Sequence, residues 1–237
     1  MVGHVGMRDA RIWIQSAGPC QAALVCWADS MGNAPTEVVV AAEQDLSREH
    51  AHTATFDLGG LQPGTDYRFQ VLINDERVVD GIDTTLQRFS TQPLWQYRFD
   101  PPPFKVALGS CAFINEPEFD RPGRPYGGGY EIFDGIANLQ PDLMLWLGDN
   151  VYFREVDFSS RSGMQHRYSH LRRLPELQKL LGSCPHYALW DDHDYGPNDS
   201  DGSWIHKDWA ATTFGEFWAN PSQGLPALQN QGRSERA

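Results

Sequence analysis

The stretch Pro141-Asp-Leu-Met-Leu-Trp-Leu-Gly148-Asp149-Asn150-Val-Tyr152 constrains this 237-residue chain more than any other. Leu143 to Leu147 is apolar without polar alternation, the pattern of a strand buried on both faces of a sheet. Gly148 ends the strand where the backbone must turn sharply. Asp149, Asn150 and Tyr152 are thereby placed at the strand's carboxyl end, where open α/β sheets hold their ligands.

Two other stretches repeat this arrangement. Phe104 to Leu108 leads into Gly109, Ser110 and Cys111, and Pro185 to Trp190 leads into Asp191, Asp192, His193 and Asp194. Three strand ends would then deliver a thiol, several carboxylates, an amide, a phenol and an imidazole. These are metal-ligand types.

Upstream of them, residues 1–93 read as β throughout. Short runs at Ala10 to Gln15, Gln21 to Ala28, Glu37 to Ala42 and Ala54 to Leu58 are separated by Gly, Pro, Asn and Asp. In Asp66 to Ile73, alternate positions Tyr67, Phe69, Val71 and Ile73 share one face. The preceding Leu61-Gln-Pro-Gly-Thr-Asp-Tyr67 resembles the corner of fibronectin type III sandwiches, in which the tyrosine locks the chain reversal. Residues 94–103, with Pro101, Pro102 and Pro103, read as an extended linker.

From Phe104 to residue 225 strands alternate with helices, which implies a mainly parallel sheet. Tyr130 to Leu139 places Ile132, Phe133, Ile136 and Leu139 on one helical face. Gln165 to Leu181 is helical, with Pro175 opening a second segment and Gly182 ending it. Ser203 to Trp218 is a third helix, with Trp204, Trp209, Thr213, Phe217 and Trp218 as buried positions. Residues 226–237 form a polar tail without periodicity, expected to be disordered.

Charge and cysteine content narrow the function. With 19 basic and 31 acidic residues the net charge is −12, which argues against nucleic acid or an anionic membrane as a stable partner. An anionic substrate stays open, because bound cations reverse the local sign. Cys20, Cys26, Cys111 and Cys184 are too few in a chain of this length for a disulfide framework. No apolar run reaches the ~18 residues of a membrane span. Met1 to Arg8 lacks the form of a signal peptide, so the chain is expected to be cytoplasmic or to start downstream of one.

Within the strand ends, Asp149 either caps the following segment or bridges two cations. Cys111 is either an inert thiol or a ligand. A thiolate and a phenolate, Cys111 and Tyr152, would suit an iron-type cation, and the remaining hard oxygens would suit calcium. Three acids around His193 repel one another unless a cation neutralises them, which makes Asp192 a ligand candidate and His193 a proton donor to a leaving group. Asn198 and Asp199 are turn residues or further oxygen ligands, and Arg154 holds a phosphate oxygen or an exposed ion pair. His166 and His170 have zinc-compatible spacing but no Glu or third ligand accompanying them, and read as a helix face. Gly127 to Gly129 reads as a flexible loop before a helix rather than a phosphate cradle.

Taken jointly, Gly-Ser-Cys111, Gly-Asp149-Asn-Val-Tyr152 and Trp-Asp-Asp192-His193-Asp resemble the signature of alkaline phosphatase D-like metallophosphatases, relatives of the calcineurin-type metallophosphoesterases. The resemblance covers residues 1–220 and implies a fibronectin III-like sandwich followed by an α/β metallophosphoesterase domain. It implies phosphomonoester or phosphodiester hydrolysis by a metal-activated hydroxide, with iron (Fe3+) and calcium (Ca2+). By motif position the ligands are Cys111, Asp149, Tyr152 and Asp192, with Asn150, Asn198 and Arg154 as possible additions, and His193 and Asp149 are catalytic. Members of the family are commonly exported. The family pattern continues with a further acid and histidine, whereas only His206 follows His193 here, so the expectation is a C-terminally truncated member with an incomplete α/β domain. Two functions compete: a phosphoric ester hydrolase, and an inactive remnant whose β-sandwich serves as a binding module.

Overall fold

The computed structural model describes residues 1–29, 38–78, 84–126 and 128–221. The first half holds strands β1 (Val2–Val5), β2 (Asp9–Gln15), β3 (Cys20–Ala28), β4 (Val38–Leu46), β5 (Thr53–Gly59), β6 (Asp66–Ile73), β7 (Glu76–Arg77) and β8 (Arg88–Ser90). They form two antiparallel sheets, β1-β2-β5 and β4-β3-β6-β7, with β8 pairing β6. Alternate residues point inward, so Ile12, Phe56 and Leu58 of one sheet meet Leu24, Cys26 and Val71 of the other in a shared core. The Tyr67 hydroxyl accepts a hydrogen bond from Gln62 N at 2.8 Å, closing the turn that the Leu61–Tyr67 pattern anticipated.

The second half holds β9 (Val106–Gly109), α1 (Glu131–Asn138), β10 (Leu143–Leu147), α2 (Arg161–Arg172), α3 (Pro175–Ser183), β11 (His186–Leu189), α4 (Asp192–Tyr195) and α5 (Lys207–Phe217). Its sheet is parallel, in the order β11-β10-β9. Several boundaries differ from the sequence reading. The helix around Gln165 starts four residues earlier, at Arg161, because the Ser160 hydroxyl caps it by accepting from Gly163 N at 3.0 Å. Gly182 lies inside the last turn of α3 rather than ending it. Ser203 to His206 stay outside α5, and Trp209 is 40% exposed rather than buried. On α1, Phe133 and Ala137 are the buried pair, while Ile132 and Leu139 face solvent. The tail from residue 226 lies outside the described residues, and so does Glu37.

The largest departure concerns the parallel sheet. Register pairs Leu143 with Val106, Leu145 with Leu108, and Leu147 with Leu189. One face therefore carries Ala107, Met144, Trp146, His186 and Ala188, packed in the core with Phe133 and Trp218. Among the described residues the opposite face is bare: Leu108 is 62% exposed and Leu189 is 63% exposed, with Val106 and Leu147 also in water. The expectation of burial on both faces fails here. An apolar run records the chemistry of both faces of a strand, but not what lies against each.

The two halves share a hydrophobic core. Trp13 of β2 packs against Phe217, and its indole N–H donates to Glu216 O at 2.7 Å. The Arg172 guanidinium lies over the rings of Trp218 at 4.0 Å and Trp13 at 5.4 Å. His50 Nδ1 sits 2.7 Å from Glu216 Oε1, which also pairs with Arg161. The Asn220 amide bonds both backbone groups of Ala188, occupying the outer edge of β11 in the manner of a strand.

Candidate metal centre

The central strand β10 sets the position of the site. Beyond it, Gly148 (φ 92°) and Asp149 (φ 51°) are both left-handed, and the chain folds back across the strand ends. A Cβ on Gly148 would lie 2.6 Å from Asp191 Cβ, so only glycine lets the second loop pass this close to the third. The first loop is tied in by Cys111 N donating to Gly148 O at 3.2 Å and Ala112 N donating to Asp149 O at 2.8 Å. Cys111 is itself left-handed (φ 58°). Two non-glycine residues in that region at one site represent stored strain, which clusters at functional positions.

These turns bring the side chains together. One ligand atom from each of Asp149, Asp192 and His193 falls within 4.8 Å of the others, a group that could hold an ion. Tyr152 donates its hydroxyl to Asp149 Oδ2 at 3.0 Å, and the Cys111 thiol approaches the same oxygen at 3.7 Å. His193 N donates to Asp149 Oδ1 at 3.4 Å, and its ring stands 4.3 Å from that of Tyr152. Burial, then hydrogen bonding and charge from Cys111 and Asp149, push the Tyr152 phenol far above its ordinary value. It is a neutral donor unless a cation supplies compensating charge. Donation from Asp199 N at 2.5 Å lowers the Asp192 carboxyl below its usual range.

Asp194, to which the sequence reading gave no separate role, organises the loops. It is 1% exposed. Its carboxylate accepts from Asn150 N (3.1 Å), Val151 N (3.3 Å), Asn150 Nδ2 (3.2 Å), Asp191 N (3.1 Å) and the Tyr168 hydroxyl (3.0 Å). It thereby joins the loops after β10 and β11 to helix α2. Burial pushes its pKa up to about 6, against the opposing pull of these donors. A capping box of Asp191 and Asp194 starts α4, the short helix that presents Asp192 and His193. The spacing Asp191-x-x-Asp194 was the available signal.

The other candidates divide. Asn150 is fully buried, with its Nδ2 donating to Leu189 O at 2.6 Å and its Oδ1 without a hydrogen-bond partner among the described residues. Asn198 is not drawn into the group; it bonds Asp199, whose backbone closes on Asp192. Arg154 is neither an exposed ion pair nor a free phosphate ligand. It is 9% exposed, paired with Asp120 at 2.9 and 3.0 Å, and bonded to Ile114 O and Tyr152 O. The sequence could not show Asp120, which lies 34 residues away. His166 and His170 do acquire an acid, since Glu116 Oε1 lies 2.9 Å from His166 Nε2, yet they do not form a metal-sized group among the described residues. Gly127 lies outside the described residues.

Residues 1–91 match a family described as a domain of unknown function (DUF7800). No curated protein matches the chain. A solved structure described as "Structure of PhoD" is similar over 91% of this chain, with a TM-score of 0.66 and 16% identity. This chain covers 44% of that one, so it spans less than half its length. The sensor domain of the anti-sigma factor RsgI4 from Pseudobacteroides cellulosolvens resembles 39% of the chain at 24% identity, with a TM-score of 0.29. The likeness to PhoD establishes a shared fold: an antiparallel β-sandwich followed by a parallel sheet with helices.

Proposed function

We propose that the strand-end cluster is the metal-binding part of a phosphoric ester hydrolase similar to PhoD. The observation that carries this reading is the convergence of Asp149, Asp192 and His193 within 4.8 Å at the carboxyl edge of a parallel sheet. In the finer reading, residues 1–93 are a fibronectin III-like domain, 94–103 a linker and 104–225 a partial metallophosphatase domain. The contact of Trp13 with Phe217 and Glu216 supports one working unit over a free-standing β module.

The donor set fits two cations of different character. Cys111 and Tyr152 both aim at Asp149 Oδ2, a soft sulfur and a phenol beside one carboxylate, which suits an iron-type ion. Asp192 and the unpartnered Asn150 Oδ1 add hard oxygens suited to calcium. Bound there, such ions supply Lewis-acid charge for a phosphate and lower the pKa of a coordinated water. The chain's own residues do the rest. Asp149 bridges the two ligand groups, Asp194 and Asn150 hold its loop, and His193, its ring tilted against that of Tyr152, delivers a proton to the departing alcohol.

The test is elemental analysis of the purified chain with phosphate release from 4-nitrophenyl phosphate. We expect bound iron in the parent, and both metal and turnover lost in Cys111→Ala and Asp149→Asn. Metal content and turnover unchanged in both variants would remove the proposal.

A further inference from the structure

Beside the candidate metal centre lies a pocket of about 510 Å³, within the size range of small-ligand sites. Its walls are the loops that follow β9 and β10, the same loops that carry Cys111 and Tyr152. The lining is dominated by rings, among them Phe113, Phe119, Tyr126, Tyr152 and Phe158. Tyr152 belongs to both places: its hydroxyl meets Asp149, its ring stands 4.3 Å from His193 on one side and 5.2 Å from Phe113 on the other. Phe113 in turn meets Tyr126 edge-to-face at 5.1 Å. A run of π-systems thus leads from the metal ligands into the pocket.

The pocket is built rather than incidental. The Arg154–Asp120 ion pair, 9% exposed on each side, staples one wall to the other. The Arg154 guanidinium lies 4.1 Å from the Phe113 centroid, locking that ring. Arg121 lies 4.4 Å over Tyr126 at the mouth and has no carboxylate partner among the described residues, which leaves a cation there for an anionic ligand. Phe119 and Tyr126 stay 44% and 43% exposed, so both rings are accessible to a ligand.

We infer that this pocket is the subsite for the alcohol component of the phosphate ester, and that the component is a planar aromatic group, an aryl ring or a nucleobase. The inference rests on the phosphoesterase reading of the adjoining site. Rigid walls and offset ring contacts reward a flat π-system over an alkyl chain.

The experiment is calorimetric titration of the full chain with phenylphosphonate, methylphosphonate, phenol and adenosine, with and without Mn2+. Phenylphosphonate should bind about tenfold tighter than methylphosphonate, and Phe119→Ala and Tyr126→Ala should shrink that advantage. Those two rings sit at the rim, so the variants leave the stapled walls in place. Phenol or adenosine binding, weakened in the same variants, supports the subsite and shows which ring it takes. Mn2+ and methylphosphonate binding without any advantage for the ring overturns the subsite and spares the phosphoesterase reading. Ring binding without Mn2+ or phosphonate binding does the reverse. An advantage that survives in both variants also overturns the subsite.

Discussion

Replacing Gly148 with alanine tests whether the close passage of two strand-end loops assembles the site. Gly148 has φ 92°, and an added Cβ would meet Asp191 Cβ at 2.6 Å and Asp191 N at 3.3 Å. The left-handed backbone costs an L-residue about 1–2 kcal/mol. The clash falls on the residue that caps α4, where neither partner is a flexible tip, and overpacking of this kind costs about 1–3 kcal/mol. Reduced freedom of the unfolded chain offsets about 0.4–1 kcal/mol. The sum is a loss of about 1–5 kcal/mol, or roughly 2–20 °C in Tm for a chain of this size. Gly60→Ala is the control, since Gly60 has φ 74° and nothing within 4 Å of its added Cβ. It incurs the backbone cost alone. The assay is urea denaturation of both variants beside Mn2+ titration. We expect Gly148→Ala to be about 1–3 kcal/mol worse than Gly60→Ala and to weaken Mn2+ binding about 10–100-fold, as loss of ligand support does. Equal destabilisation of the two variants, or parental Mn2+ affinity in Gly148→Ala, would refute the reasoning.

Trp13→Ala should cost about 3–5 kcal/mol by chemical denaturation, because it opens a cavity against Phe217 and leaves Glu216 O without its indole donor. The hydrogen bond that His50 donates to the Glu216 carboxylate raises its pKa above the ordinary 6.5, against burial and Arg161. A raised folded value means the contribution is complete below pH 6.5 and is lost as pH rises through the folded pKa, so the urea midpoint should fall above pH 6.5 and His50→Gln should flatten that fall. Thiol labelling should be fast at exposed Cys111 and slow at Cys26 and Cys184, which burial pushes up to about 12 and about 11. Cys111→Ala should remove the fast phase and Mn2+ should slow it in the parent; a fast phase that persists in the variant contradicts the placement of Cys111.

The strand ends were legible because each is a local pattern: an apolar run, a glycine or an acid, then polar side chains. The turn closed by Tyr67 was legible for the same reason. What escaped the sequence depends on partners distant along the chain. Arg154 looked available for phosphate until Asp120 appeared beside it, 34 residues upstream. Asp194 looked like one more acid of a cluster, yet its oxygens are spent on the backbone of Asn150 and Val151. Ile132 and Leu139 fit a helical face on paper, but α1 is only eight residues long and buries just Phe133 and Ala137. Periodicity names a face without saying how wide the contact against it is.

The bare face of the parallel sheet has an electrostatic consequence. Leu147 and Leu189, two residues before Asp149 and three before Asp192, stay in water, so repulsion between those carboxylates is screened from that side.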